Sequence, residues 1–198
     1  MLKLTLLTLM LSVVGLADTI IFTIQGTGSG TVNSTAFTNQ SFTLTVTTDT
    51  TLVTAFNLGD GETGFQTPNV AGAGISIGGI GSGTFTDVQS IFVNNTSDFV
   101  GITDGVSGND LVDGFNSSFT TYTLQTSIGP VPIAPLEALD QFNNISTTLG
   151  NVTFTMATNV FFTATTVFTP EPGTTLLAAA GVLLLGLGIR ARARGTGR

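Results

Sequence analysis

Short runs in which apolar residues alternate with threonine recur through the middle of the chain, and this pattern constrains the fold most. Phe42, Leu44 and Val46 are separated by threonines, and the same alternation occurs at Thr121–Gln125 and Val152–Met156. A period of two places successive side chains on opposite faces of an extended strand. Threonine suits the solvent face because its branched Cβ favours extended backbone. The pattern therefore predicts strands with one buried face.

Other segments read as strands of five to eleven residues separated by Gly, Asn and Asp. This organisation predicts an all-β fold, an antiparallel β-sandwich. One helical turn is expected within Leu136–Phe142. The further strands are expected at Thr19–Gln25, Thr51–Leu58, Gly74–Ile80, Gly83–Val93, Asp98–Thr103 and Val160–Phe168. Turns are expected at Gly26–Gly30, Gly59-Asp60-Gly61, Asn94-Asn95 and Gly105–Asn109.

Phenylalanine is expected to fill most of the core, because the chain has 15 Phe and no Trp. A domain of about 150 residues buries enough apolar surface to fold without disulfides, and the chain has no Cys. The expected core members are Phe22, Phe42, Phe56, Phe85, Phe92, Phe119, Phe154 and Phe162.

The charges are sorted along the chain. All five basic residues are Lys3 and the four arginines after position 189, whereas residues 18–169 hold eleven carboxylates and no Lys, Arg or His. A domain without cations has nothing to hold phosphate, which argues against nucleic-acid binding. It also lacks a Lys for a Schiff base and a His or Cys for acid–base or nucleophilic catalysis.

Residues 1–17 have the features of a secretory signal peptide. Lys3 supplies the positive charge, an apolar run follows from Leu4 to Val14, and Gly15-Leu16-Ala17 offers the small residues that a signal peptidase requires. Cleavage is expected between Ala17 and Asp18.

The C-terminal end has three parts in a fixed order. Pro170, Glu171, Pro172 and Gly173 form a non-helical breaker, because proline fixes φ and restricts the preceding residue. An uncharged segment, residues 174–189, predicts a short transmembrane helix. At 1.5 Å per residue it is about 24 Å long, less than a hydrocarbon core of about 30 Å. The Arg-rich residues 190–198, which include Arg190, Arg192 and Arg194, are expected to stay cytoplasmic by the positive-inside rule. A transient stop in the membrane fits this length, and a permanent single-span anchor is the alternative.

This three-part end closely resembles the PEP-CTERM protein-sorting signal, over residues 170–198. The resemblance implies recognition by an exosortase, cleavage near Pro170-Glu171-Pro172, and release or transfer to the envelope or extracellular matrix. The predicted organisation is then a signal peptide (1–17), an ectodomain (18–169) and a sorting signal (170–198).

The ectodomain also resembles a recurrent secreted domain carried by PEP-CTERM proteins. The similarity lies in residues 36–45, 83–87 and 121–130. It implies an extracellular all-β domain of unknown activity and carries no catalytic residue over to this chain.

One acidic loop is a candidate cation site. Asp104, Asn109, Asp110 and Asp113 lie within ten residues, and carboxylate oxygens are the ligands that Ca²⁺ prefers. The spacing matches no EF-hand, and a Gly/Asp-rich turn is the alternative. Asp60 and Glu62 form a weaker candidate pair.

Threonine pairs at alternate positions are candidates for a hydroxyl lattice that binds polysaccharide or ice, the alternative being a plain solvent face. They are Thr43/Thr45/Thr47, Thr121/Thr123, Thr153/Thr155 and Thr163/Thr165. No fixed repeat supports a solenoid. Gly26–Gly30 mimics a phosphate loop, but no Lys follows it.

The sequence predicts an exported bacterial protein of the envelope or matrix, with a structural or adhesive role. Its expected partners are signal peptidase and exosortase during export, the membrane, and extracellular polysaccharide. A Ca²⁺-dependent carbohydrate-binding module is the first alternative, and ice binding is a weaker one. A hydrolase using two carboxylates has no specific support, since some of eleven acids pair by chance. No enzyme activity and no other cofactor are expected.

Overall fold

Two antiparallel sheets make up the structure, a computed structural model that describes residues 18–59 and 61–167. The fold is all-β, as predicted. Within these residues, three single 3₁₀ turns occur at Thr50–Leu52, Ser117–Phe119 and Leu139–Gln141. The strands are β1 (Thr19–Val32), β2 (Thr35–Asp49), β3 (Thr54–Asn57), β4 (Thr63–Gln66), β5 (Gly74–Ile77), β6 (Gly81–Thr84), β7 (Gln89–Asn94), β8 (Phe99–Asp104), β9 (Asp110–Phe115), β10 (Ile128–Pro132), β11 (Ile145–Thr147) and β12 (Gly150–Val167).

The larger sheet has seven strands, in the order β10-β12-β1-β2-β5-β6, with β11 paired to β12. The smaller sheet has the order β3-β4-β7-β8-β9. The two-residue turn between β1 and β2 is Asn33-Ser34, with φ of 47° and 68°. Positive φ at both central residues defines a type I′ turn, which matches the twist of paired strands and explains the asparagine.

Both sheets contribute to one hydrophobic core. Even-numbered residues of β1 and β2, such as Phe22 and Leu44, lie in it, as do Ile91 and Val100 of the smaller sheet. Burial confirms six of the eight predicted core phenylalanines, and it adds Phe37 and Phe142. The six confirmed residues are Phe22, Phe42, Phe85, Phe119, Phe154 and Phe162.

The core prediction is wrong for Phe56 and Phe92, which are half-buried. Ile91 and Val93, the neighbours of Phe92 in β7, are 1% and 0% exposed. Because successive strand residues face opposite sides, Phe92 lies on the outer face. Three consecutive apolar residues give no alternation from which the sequence could assign a face.

The turn predicted at Gly26–Gly30 is wrong, since all five residues lie inside β1. Gly26 and Gly28 leave room for aromatic rings of neighbouring strands. A Cβ on Gly28 would lie 2.6 Å from Cε1 of Phe154 and 3.2 Å from Cδ1 of Phe42. Glycine here serves close packing, one of the reasons for glycine within a strand.

The strand predicted at Thr121–Gln125 is also wrong. Tyr122 and Leu124 are buried, as alternation implies, but the segment is a series of bends, and Leu124 has φ of 60°. The Tyr122 hydroxyl donates to the Thr126 carbonyl at 2.9 Å. The predicted strand Gly83–Val93 is divided between β6 and β7, and the turn expected within Leu136–Phe142 occurs as the 3₁₀ turn Leu139–Gln141.

Residues 1–17 and 168–198, which hold the predicted signal peptide and sorting signal, lie outside the described residues. In the part that is described, no helix has the length and apolar character to cross a membrane. Residues Asp18–Val167 form one compact unit.

Candidate functional site

Four phenylalanines lie on the outer face of the five-stranded sheet, and we call Phe56, Phe92, Phe99 and Phe115 the aromatic face. Its first row follows from the strand register: Phe56 pairs with Gly64, which pairs with Asn94, and Asn94 pairs with Phe99. Phe99 in turn pairs with Phe115. Phe115 is 39% exposed. The outer face of the larger sheet, by contrast, presents mainly threonine.

Two of these rings lie across glycines of the next strand. The Cζ atom of Phe56 is 2.7 Å from the position of a Cβ on Gly64, and Cε1 of Phe92 is 2.7 Å from that of Gly101. The rings therefore lean along the sheet and cover backbone that has no side chain of its own. Phe99 and Phe115 make an edge contact, with ring centroids 6.0 Å apart.

Polar side chains alternate with the rings. Phe92 lies between Gln66, its partner in β4, and Gly101, whose own partner in β9 is Asp113. Gln66 is exposed. Asp113 Oδ1 accepts hydrogen bonds from the amides of Ala138 at 2.8 Å and Glu137 at 3.3 Å. The face thus combines apolar ring surface with fixed hydrogen-bonding groups.

The carboxyl groups on this side of the sheet are partly desolvated. Burial raises the pKa of Asp113, although the two amide hydrogen bonds oppose the rise. Burial also raises the pKa of Asp110, against a hydrogen bond from Thr103 Oγ1 at 2.7 Å, and the charge of Asp113 adds to the rise. No Lys or Arg lies between residues 18 and 169 to compensate these charges.

Asp113→Asn is expected to stabilise the fold at pH 7 by about 0.5 kcal/mol, the scale of a partly solvated charge. The amide oxygen still accepts from Ala138, and the cost of a desolvated charge disappears. Since the folded pKa lies above the ordinary 3.8, the native state binds more protons through that interval and native stability falls as pH rises across it. Urea unfolding at several pH values should show the gain above this interval and none below pH 4. Asp140→Asn, at an exposed acid, is the control, and an equal gain there would contradict the prediction.

The structure places the four predicted Ca²⁺ ligands in separate hydrogen bonds. Asp104 ends β8, is 5% exposed, and its Oδ1 accepts from the amide of Val106 at 2.9 Å and of Ser107 at 3.4 Å. Asn109 closes the same hairpin through its carbonyl, which accepts from the Asp104 amide. Asp110 and Asp113 lie along β9. Among residues 18–59 and 61–167, no three acidic residues come together as a cation site, and Ca²⁺ binding stays a prediction.

An uncharged cleft of about 560 Å³ lies beside the β1–β2 turn. Asn33 Oδ1 accepts from the Asn151 amide at 2.9 Å, Asn151 Nδ2 donates to Asn144 Oδ1 at 3.1 Å, and Thr153 Oγ1 donates to Asn143 Oδ1 at 3.2 Å. These bonds use the amide oxygens to fix the turns. The cleft is lined by Thr31, Asn33, Ser34, Asn143, Asn144, Asn151 and Thr153.

The threonine pairs lie in two different structural settings. Thr23 of β1 pairs with Thr45 on one side and Thr163 on the other, so a hydroxyl row crosses three strands of the larger sheet. Thr121 and Thr123 lie outside any strand. Thr153 donates to Asn143 and accepts from the Asn144 amide at 2.8 Å. One outer face is therefore hydroxyl-rich and the other is aromatic.

Sequence reasoning missed the aromatic face because it depends on register. Phe56 is 36 residues from Phe92, and only the pairing of β3, β4 and β7 brings them to one side. The available signal was the lack of alternation at Ile91-Phe92-Val93 and Phe99-Val100. Adjacent residues of a strand face opposite sides, so at least one apolar residue in each run has to face outward.

A scan against protein-family models, a search of curated proteins and a search of solved structures give no match to this chain. The sorting residues Pro170, Glu171, Pro172, Arg190, Arg192 and Arg194 lie outside the described residues, as does Ala17. Asp18 is the residue before β1, and its carbonyl accepts from the Thr50 amide at 2.9 Å.

Proposed function

We propose that this chain is an exported bacterial protein of the envelope or extracellular matrix, processed by signal peptidase and exosortase, whose β-sandwich adheres to matrix polysaccharide. The terminal segments argue for export and sorting. Asp18–Val167 is one compact unit, which agrees with an ectodomain released between residues 18 and 169. The domain has no His, Cys, Lys or Arg, so a non-catalytic role is proposed with it.

The observation that carries adhesion is the aromatic face. A sugar ring presents apolar C–H groups on its faces and hydroxyls at its rim, so it is complementary to an aromatic ring flanked by amide and carboxylate groups. Phe92 lies between Gln66 and the Gly101–Asp113 pair, which provides this combination. Because the domain carries eleven carboxylates and no Lys or Arg, a neutral or cationic polymer is favoured over an anionic one.

Intact mass spectrometry of the protein recovered from producing cells tests export and sorting. The expected product lacks residues 1–17 and everything after the Pro-Glu-Pro motif. A mature product that keeps residues 174–198 would favour the permanent anchor instead, and a cytoplasmic product with both ends intact would overturn the proposal.

Polysaccharide binding is tested by affinity electrophoresis of the purified protein through gels that contain one neutral or one anionic glycan. Phe92→Ala should weaken retardation by a neutral glycan about two- to tenfold, because a ring stack contributes about 0.5–1.5 kcal/mol beyond burial. Phe161→Ala is the matched control, since Phe161 is also half-buried but lies on the outer face of the larger sheet.

Three outcomes would count against binding by the aromatic face. Equal loss in Phe161→Ala would show that the effect is not specific to the aromatic face, and absence of retardation by every glycan would leave a structural role. Loss of retardation on addition of a chelator would favour the Ca²⁺-dependent module, with Asp104 and Asp110 among its candidate ligands.

A further inference from the structure

In the described residues the larger sheet ends at β10 and β6, the smaller sheet ends at β9 and β3, and β11, which pairs with β12, adds a fifth edge. An unpaired edge exposes a row of N–H and C=O groups that can pair with another strand, so proteins usually cover or interrupt it. The protection of each edge can therefore be compared.

Four of these edges are blocked. The Ser146 carbonyl of β11 accepts from the Thr86 amide at 3.1 Å, and Thr147 bridges to Phe85. β10 contains Pro130 and Pro132, which have no N–H to donate. The carbonyl of Thr84 in β6 accepts from the Thr148 amide at 2.9 Å, and the Thr84 amide donates to Thr148 Oγ1 at 2.9 Å. In β9, the Phe115 carbonyl accepts from the Ala134 amide at 3.1 Å, and Gly114 bridges to Leu136.

β3 lacks such a cover within the described residues, where β4 is its only paired strand. The Leu58 amide donates to the Glu62 carbonyl at 3.0 Å, and the Thr67 amide to the Ile91 carbonyl at 2.9 Å. In an antiparallel ladder, hydrogen-bonded and non-hydrogen-bonded pairs alternate, so these bonds show which residues of each strand bond to which neighbour. The even-numbered residues of β3 bond to β4. The amides and carbonyls of Ala55 and Asn57 consequently point away from the sheet.

The β3 edge is also uncharged and apolar at both ends. Thr50–Gly59 contains no ionisable side chain. Leu52 is 53% exposed and Leu58 is 64% exposed. Of the guards common on natural edges, Lys, Pro and inward charges do not occur in this segment, and the short length of the strand is the guard that is present. With only four residues, the edge suits a weak, concentration-dependent contact.

We propose that the β3 edge pairs with the β3 edge of a second copy of this chain, antiparallel and about a two-fold axis. Two copies of a domain with eleven acids and no bases repel each other over most of their surface, and an uncharged edge is where they can approach. A two-fold contact needs a surface that complements itself. A strand edge meets this condition, because its backbone N–H and C=O groups pair with the same groups of an antiparallel copy. A cationic partner would select the acidic surfaces instead.

One register pairs all the outward-pointing backbone N–H and C=O groups of the two β3 strands, and it places Ala55 of one copy opposite Asn57 of the other. Phe56 then faces its own counterpart across the axis in a non-hydrogen-bonded pair, with Cβ atoms about 4.5–5.5 Å apart. The two smaller sheets become one ten-stranded sheet, and the two aromatic faces become continuous. This inference rests on the strand edge and does not require the proposed polysaccharide binding.

Disulfide trapping on the full-length chain tests the contact, because the chain has no cysteine of its own. Phe56→Cys should form a disulfide-linked homodimer under mild oxidation, since the expected Cβ separation approaches the 3.5–4.5 Å of a disulfide. Val106→Cys is the control: Val106 is 70% exposed in the β8–β9 loop, and this variant should cross-link at least tenfold less.

Ala55→Pro in the Phe56→Cys background should reduce the cross-linked dimer at least tenfold. It removes an N–H that faces solvent, a place where strands tolerate proline, and unchanged resistance to proteolysis would verify the fold. Should this variant be cleaved, Leu58→Glu charges the edge without altering the backbone, and the same loss is expected.

Equal cross-linking of Val106→Cys and Phe56→Cys would overturn the proposal, as would a dimer that survives both Ala55→Pro and Leu58→Glu. A product of Phe56→Cys whose mass shows a different protein would assign the edge to another partner and overturn pairing of two copies. Loss of the dimer with unchanged glycan retardation would leave the polysaccharide proposal standing, which separates the two.

Discussion

Gly30→Ala is expected to lower the free energy of unfolding by about 3 kcal/mol, at the upper end of ordinary overpacking. An added Cβ would overlap the carbonyl oxygen of Thr153, which is backbone, and would lie 3.0 Å from Cζ of Phe37. β1 is paired on both sides, with β12 and β2, so neither it nor Thr153 can move away without disturbing a ladder. Urea unfolding of the two proteins measures the difference.

Gly108→Ala is the matched control for Gly30→Ala. Gly108 has φ of 74°, and no atom lies within 4 Å of the position of its added Cβ. The substitution therefore adds conformational strain without a clash, at a cost of about 1–2 kcal/mol. If Gly30→Ala costs no more than Gly108→Ala, the two strands are not held as closely as the structure shows.

The sequence predicts the fold class and most strands because their alternation is local. Phe42, Leu44 and Val46 face the core in β2, and Val152 and Phe154 do so in β12, as their period of two requires. Tyr122 and Leu124 show the limit of this reasoning. Bends stabilised by their own hydrogen bonds, such as Tyr122 to Thr126, can bury alternate residues without forming a strand.

Local sequence does not predict the role of these glycines, because their contacts are distant along the chain. Gly26–Gly30 has the composition of a turn, but Gly28 packs against Phe42 and Phe154, which are 14 and 126 residues away in sequence. Gly64 and Gly101 likewise lie beneath Phe56 and Phe92. One chemical device, an aromatic ring over a glycine of the adjacent strand, explains both the missed continuation of β1 and the missed aromatic face.

The same pairing has opposite consequences on the two sides of a sheet. Inside, Phe154 over Gly28 fills the core, and the ring is 3% exposed. Outside, the rings over Gly64 and Gly101 remain partly open to solvent. Strand register determines whether a given phenylalanine packs in the core or lies on the outer face. The register cannot be read from a single sequence.

Phe154→Ala is expected to cost about 3–5 kcal/mol of unfolding free energy, the range for deleting a buried aromatic ring. The ring lies 4.9 Å from the centroids of Phe42 and Phe142 and 5.4 Å from that of Phe37, so its loss opens a cavity lined by three other rings. Phe115→Ala, at a residue 39% exposed, should cost less than about 1 kcal/mol in the same urea titration.

A double-mutant cycle makes the expectation for Phe154 specific to its contact with glycine. Gly28→Ala alone should destabilise, since its Cβ would lie 2.6 Å from the Phe154 ring. In the Phe154→Ala background that clash is absent and the added methyl group fills part of the cavity, so the same substitution should be neutral or stabilising. The coupling free energy is expected to exceed about 1 kcal/mol, as for residues in direct contact. Additive costs would show that the ring does not occupy the space above Gly28, and the packing argument for glycine within β1 would then fail with it.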